Sequence, residues 1–297
     1  MVNMKLNEEN FKENVEQFNK EAVLEHLPSW VFNVGANVPI ARTALDLKDA
    51  PQRKGATCII VAAGWSMTDE EVMKLKDFKG DIIVVNKSFE RLYRLGVIPN
   101  WVCLLDAHAI SASQFRWLDG MDITVDGFDA KMQGKTKFLI SSTAYHKTVD
   151  IIDTFTDNLY MFNAYEDIGG EARLSQIFTW MNGKEELQHG GNVGALAFIL
   201  ARTLGYKKIA LIGFDLYEEK DKNWTVEENR EREVLYYPDI DTYVHIPFHF
   251  MAFMTFLCTA SEDTKEPIVY LGKSPLFTHS PHFKTEDLDE FIRATQH

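Results

Sequence analysis

Between residues 56 and 271 the chain alternates short, unbroken apolar runs with longer amphipathic stretches. The runs cover 56–63, 81–85, 101–105, 137–140, 159–162, 208–212 and 267–271. They lack the every-second-residue polarity of half-exposed strands, and so read as strands buried on both faces. Helical spacing falls between them, over 69–76, 88–95, 147–155 and 191–204. Strands alternating with helices predict an α/β fold with a mostly parallel sheet and right-handed crossovers. Such a sheet places ligands beyond the carboxyl ends of its strands.

Outside this region the pattern changes. Residues 7–26 carry sparse apolar positions, Phe11, Val15, Phe18, Ala22 and Val23, at a spacing near 3.6. They predict an amphipathic helix that covers one side of the core. Residues 28–54, with Pro39, Pro51 and the Arg53-Lys54 pair, read as an irregular connection. Residues 218–233 are strongly charged and follow a strand directly, where lids occur. The expected organisation is an N-terminal helical extension and connection (1–54), a main α/β domain (55–275) with a lid-like insertion (218–250), and a C-terminal tail with a helix (276–297).

Of 297 residues, 45% are hydrophobic and 25% charged, the composition of a globular chain. Lys and Arg number 31 against 44 Asp and Glu, a formal charge of -13. That balance repels phosphate backbones and disfavours nucleic acid as the main partner. Cys58, Cys103 and Cys258 are odd in number, far apart and without CxxC spacing, so neither a disulfide framework nor a zinc knuckle is expected. The first residues show no apolar signal core, and the longest greasy stretch, 246–258, is too short to span a bilayer. A soluble cytoplasmic protein is expected.

Candidate chemistry collects at the strand ends. The first strand runs into Ala63-Gly64-Trp65-Ser66-Met67, followed by Thr68 and Glu71 at capping-box spacing. A helix starting there directs free N–H groups above the sheet, a seat for phosphate; a plain turn is the alternative. This is neither a GxGxxG fingerprint nor a P-loop. The second strand ends at Asn86, suited to base or ribose recognition or to a helix cap. The third ends at Asp106-Ala107-His108, where the carboxylate suits a magnesium–phosphate complex, a ribose hydroxyl or a cap. Gly190-Gly191-Asn192 precede a helix that is apolar nearly all round, a second candidate anion site, or a flexible lead into a core helix. Gly213-Phe214-Asp215-Leu216-Tyr217 close a late strand; Asp215 either orients a loop or touches the ligand. His245 and His249 are four apart, but Pro247 between them argues against a shared helical face, and a general acid or base is a better reading than zinc.

The segments GATCIIVAAGWSM, VVNKSFERLYRLGVIPNWVCLLDAH and GGNVGALAFILARTLGYKKIALIGFDLYE resemble the Maf/MptE-like family. That family includes motility-associated nonulosonate transferases and archaeal 6-hydroxymethyl-dihydropterin diphosphokinases. The same order of elements is similar to bacterial CMP-sialyltransferases. The resemblance implies a Rossmann-like sheet and a nucleotide site at Gly64, Trp65, Ser66, Asn86, Gly190, Gly191, Asn192, Asp215 and Tyr217. It implies a catalytic corner at Asp106 and a general base at His245 or His249. Trp65 replaces the proline usual in the first loop, adding a flat surface. The leading expectation is a glycosyltransferase with a CMP-linked, sialic-acid-like donor and a hydroxyl-bearing acceptor, needing no firm cofactor. The first alternative is an ATP-dependent diphosphokinase, with Mg2+ held by Asp106 and Asp215. The second is a noncatalytic nucleotide-binding protein. A homo-oligomer is compatible with each.

Overall fold

The computed structural model describes residues 8–121, 127–165, 173–217, 232–237, 242–262, 264 and 266–295. For 8–24, 232–237, 242–245, 248 and 249 it describes backbone only. Helix α1 (Glu8–Thr43) leads into β1 (Thr57–Val61), α2 (Asp69–Lys74), β2 (Asp81–Val85), α3 (Asn86–Arg94), β3 (Trp101–Leu104) and α4 (Ile110–Ser113). There follow α5 (Phe128–Lys135), β4 (Lys137–Ser141), α6 (His146–Phe155), β5 (Leu159–Ala164), α7 (Leu174–Asn182) and β6 (Glu186–Leu187). Then come α8 (Val193–Leu204), β7 (Lys208–Ile212), β8 (Arg232–Tyr237), β9 (Thr242–Pro247) and α9 (Phe248–Glu262). The chain closes with β10 (Ile268–Tyr270), α10 (Pro275–Thr278), β11 (Phe283–Thr285) and α11 (Leu288–Ala294).

Nine strands form one parallel sheet in the order β11-β10-β7-β1-β2-β3-β4-β5-β6. The fold is therefore α/β and Rossmann-like. Alternate residues of each strand feed two apolar layers. Cys58 and Ile60 pack with α8 and α9 on one face, and Ile59 and Val61 with α2, α3, α6 and α11 on the other. This is why the strands read as continuous apolar runs: both faces are covered. Strands β2 and β7 keep the bounds read from the sequence. The two-residue β6 and the antiparallel pair β8–β9 went unread, the first being too short for a periodic signal.

The N-terminal helix is the main departure. The sequence predicts irregular chain from Pro28, yet α1 continues through Pro28 and Pro39 to Thr43. A proline inside a helix removes one backbone hydrogen bond and costs about 3 kcal/mol. Tertiary bonds offset this. Asn33 and Asn37, one turn apart, are buried. Asn33 donates to the carbonyls of Ala107 and Thr143, and Asn37 to those of Ser142 and Ala144. The helix is thereby clamped onto the corners that follow β3 and β4. Cys58 and Cys103 are free and fully buried, and burial pushes both thiols up. Among the described residues no helix is long and apolar enough to cross a membrane.

Candidate functional site

The connection pattern reverses at the β1–β7 boundary. From β1 the strands run one way through β2 to β6, and from β7 the other way through β10 to β11. Open parallel sheets bind ligands above such a switch point. Because α8 returns the chain to the start of β7, its N-terminus lies at the carboxyl edge, on the same side as the β1–α2 loop.

Two glycines bring the strand ends together. The Gly64 N–H donates to the Gly213 carbonyl at 2.7 Å, and a Cβ at Gly64 would sit 2.3 Å from that oxygen. Gly213 has φ +73, a conformation that disfavours other residues, and its own Cβ would lie 2.5 Å from the Ala62 carbonyl oxygen. Asp215, buried at 3% exposure, then takes the next loop residue: the Ser66 N–H donates to Oδ2 at 2.8 Å and the Ser66 hydroxyl to Oδ1. Asp215 thus orients the first loop, one of the two roles its position allowed. Leu216 holds φ 56, a left-handed turn uncommon outside glycine, and is itself buried. The turn carries Tyr217 to Trp65, whose half-exposed indole meets the Tyr217 ring edge-on at 5.5 Å and donates Nε1–H to its carbonyl.

The second loop joins the same edge. Gly190 and Gly191 take φ +59 and +80, and Asn192 caps α8 by accepting from the Ala195 N–H at 2.9 Å. Gly194 faces the Phe214 ring, which a Cβ there would approach to 2.9 Å. Phe214 adjoins Asp215, so one turn after β7 touches both loops. Among the described residues the N–H groups of Trp65, Met67, Val193 and Gly194 have no protein acceptor. Thr68 and Glu71 form the capping box expected of α2.

Asn86 and Asp106 lie farther along the edge. Asn86 is the first helical residue of α3, not its cap, and its buried amide donates to Gln114 at 2.7 Å. Asp106 accepts from the His108 N–H at 2.9 Å through one carboxylate oxygen; the other makes no bond to a described residue. His245 stands in β9 and His249 in the first turn of α9, with Pro247 ending the strand between them. They share no helix, and their side chains lie outside the described residues, as does the backbone of 218–231 within the expected lid.

The family profile described as 6-hydroxymethylpterin diphosphokinase MptE-like matches residues 33–221. The chain belongs to the MptE-like family. Its match contains both loops, Asn86, Asp106 and the β7 turn, and stops short of His245 and His249. The fold is similar to that of Maf glycosyltransferase from Magnetospirillum magneticum AMB-1, at 14% identity and a TM-score of 0.57. The alignment covers 83% of this chain and 38% of that protein, so this MptE-like chain spans well under half of its neighbour's length. No curated protein sequence matches.

In this MptE-like chain the two carboxylates expected at a metal follow different strands. Asp106 and Asp215 were paired as ligands of a single Mg2+. They follow β3 and β7, strands that β1 and β2 separate and that stand three spacings, about 14 Å, apart. A Mg2+ ion holds its ligands at about 2.1 Å. Both oxygens of Asp215 are also engaged by Ser66. Among the described residues no cluster of three or more metal-ligating side chains occurs. Sequence reading also missed the support beneath the turn. The buried Ser274 hydroxyl donates to the Asp215 carbonyl at 2.7 Å, and the Tyr270 hydroxyl to the Phe214 carbonyl at 3.3 Å. Ser274 lies 59 residues from Asp215 along the chain, a pairing that no local pattern signals.

Proposed function

We propose that this chain is a nucleotide-dependent transferase that holds the donor phosphate between the β1–α2 loop and the N-terminus of α8. The observation that carries the reading is the shared turn after β7. Asp215 fixes Ser66 while Phe214 packs on Gly194, so unpaired N–H groups of both loops stand at one switch point. These donors stabilise charge that develops on a leaving phosphate oxygen. The positive end of the α8 dipole adds to them. Trp65 offers its exposed indole face to a base.

The donor we favour is a CMP-linked nonulosonate sugar, because charge on the leaving nucleotide is met by backbone donors and requires no carboxylate-bound metal. Asp106, His245 and His249 remain the candidates for proton transfer at the acceptor hydroxyl. The family description favours a second reading, phosphoryl transfer from ATP to a pterin-type alcohol. In that reading Asp106 would help to hold the Mg2+ that accompanies ATP, and the ion would offset charge on the transferred phosphoryl group.

A thermal-shift screen with CMP, CDP, UDP, GDP and ATP, each with and without magnesium, separates the readings. A ligand at a hundredfold excess over its Kd stabilises the fold by about 2.7 kcal/mol. A metal-independent rise with CMP or CDP supports the sugar transferase, and a rise with ATP that needs magnesium supports the second reading. No rise with any of the five nucleotides contradicts both.

A further inference from the structure

A second cleft opens on the carboxyl edge, away from the two loops. It is an open cleft of about 370 Å3 between α1 and the corners that follow β3 and β4. That volume lies in the range of small-molecule pockets. Its walls are set before any ligand arrives. The Asn33 side chain donates to the Ala107 and Thr143 carbonyls at 3.1 Å, and its Oδ1 lies 3.3 Å from the His146 Nδ1. The same clamp that carries α1 past its prolines therefore shapes the cleft.

The lining combines two kinds of surface. Pro28 and Phe32 supply an apolar wall; the Phe32 ring is 64% exposed and is steadied edge-on by His146 at 5.4 Å. Ser29, His108 and Tyr145 supply a hydroxyl, an imidazole and a phenol, none of which makes a hydrogen bond to a described residue. The His108 ring meets the His26 ring edge-on at 4.9 Å, which holds it at the mouth. Among the described residues no lysine or arginine lines the cleft, and its lining is neutral rather than a phosphate seat. An aromatic face with several unspent donors and acceptors suits a neutral ring that bears hydroxyls.

The place on the sheet fits the same conclusion. Strand β3 lies two spacings from β1, about 10 Å, which a nucleotide-linked group extending from the switch point can span. We infer that this cleft receives the acceptor: a neutral, hydroxylated ring lies against Phe32 and Pro28 and hydrogen-bonds His108, Tyr145 and Ser29. This rests on the transferase reading above, and it moves the acceptor site to a helix that the domain division had set outside the catalytic unit.

The test measures binding by saturation-transfer NMR with 6-hydroxymethylpterin in one arm and the methyl glycosides of glucose, galactose and N-acetylglucosamine in the other. The unaltered chain, Phe32→Ala and His108→Gln are compared, with CMP and ATP binding measured on the same samples. Both side chains are exposed, so the variants are expected to keep the parent melting temperature. Binding in either arm, weakened at least about tenfold by both substitutions with nucleotide affinity unchanged, bears the inference out. The arm that binds tells a heterocyclic alcohol from a sugar. Binding of none of the four probes at about 10 mM, or binding that neither substitution weakens, overturns it. Failure of the unaltered chain to bind any nucleotide would overturn the transferase reading instead.

Discussion

At the scale of single residues, Asp215 links the two halves of the candidate site. Its carboxylate serves Ser66, 149 residues earlier, and its neighbour Phe214 serves Gly194. Asp215→Ala leaves the Ser66 N–H and hydroxyl without their acceptor, and a lost buried partner of this kind costs about 1–3 kcal/mol. We expect a lower melting temperature together with weaker nucleotide binding. Lowered stability with unchanged affinity would mean that the loop is not part of the nucleotide site. Gly64→Ala acts differently, since its Cβ meets a backbone oxygen that cannot rotate away. Overpacking costs about 1–3 kcal/mol, and urea unfolding should show a loss of that size. A stability equal to that of the parent would contradict the close β1–β7 approach.

At the scale of elements, the strands were legible and the long helix was not. A strand covered on both faces writes its burial into consecutive residues, as in Asp81–Val85 and Lys208–Ile212. The course of α1 beyond Pro28 depends on amides that bind carbonyls more than 70 residues away, which no local pattern encodes. For the same reason the sequence placed Asp215 at the ligand-facing edge but left its role open between loop and ligand. Asn37→Ala tests the clamp. It strands the Ser142 and Ala144 carbonyls and should destabilise the fold by about 1–3 kcal/mol by chemical denaturation. At the opposite edge, Tyr206 donates to the buried Asp81, which also takes Arg53 from the connection after α1. Burial first, and then the Asp81 carboxylate, raise the Tyr206 phenol well above its usual value of 10.0. The neutral phenol is thus held by the fold. Its contribution is complete below about pH 10 and is lost as pH rises above that toward the raised folded value. Melting temperatures taken between about pH 8 and 11 should fall at the alkaline end, and less steeply in Tyr206→Phe. Parallel curves for the two proteins would exclude this linkage.

At the scale of the whole molecule, topology does what no single motif does. The chain has neither a GxGxxG loop nor a P-loop, and its glycines taken singly are ordinary turn residues. The reversal of strand order between β1 and β7 makes two unremarkable loops neighbours, and the all-parallel sheet puts every candidate corner on one edge. We propose a division of labour along that edge, with nucleotide at the switch point and acceptor beneath α1. Its core is that both loops grip one phosphate group. Amide NMR during a nucleotide titration reports on this directly, through the Trp65, Met67, Val193 and Gly194 resonances. All four are expected to shift together along one binding curve with one Kd. Shifts confined to one loop, or two curves with different midpoints, would contradict it.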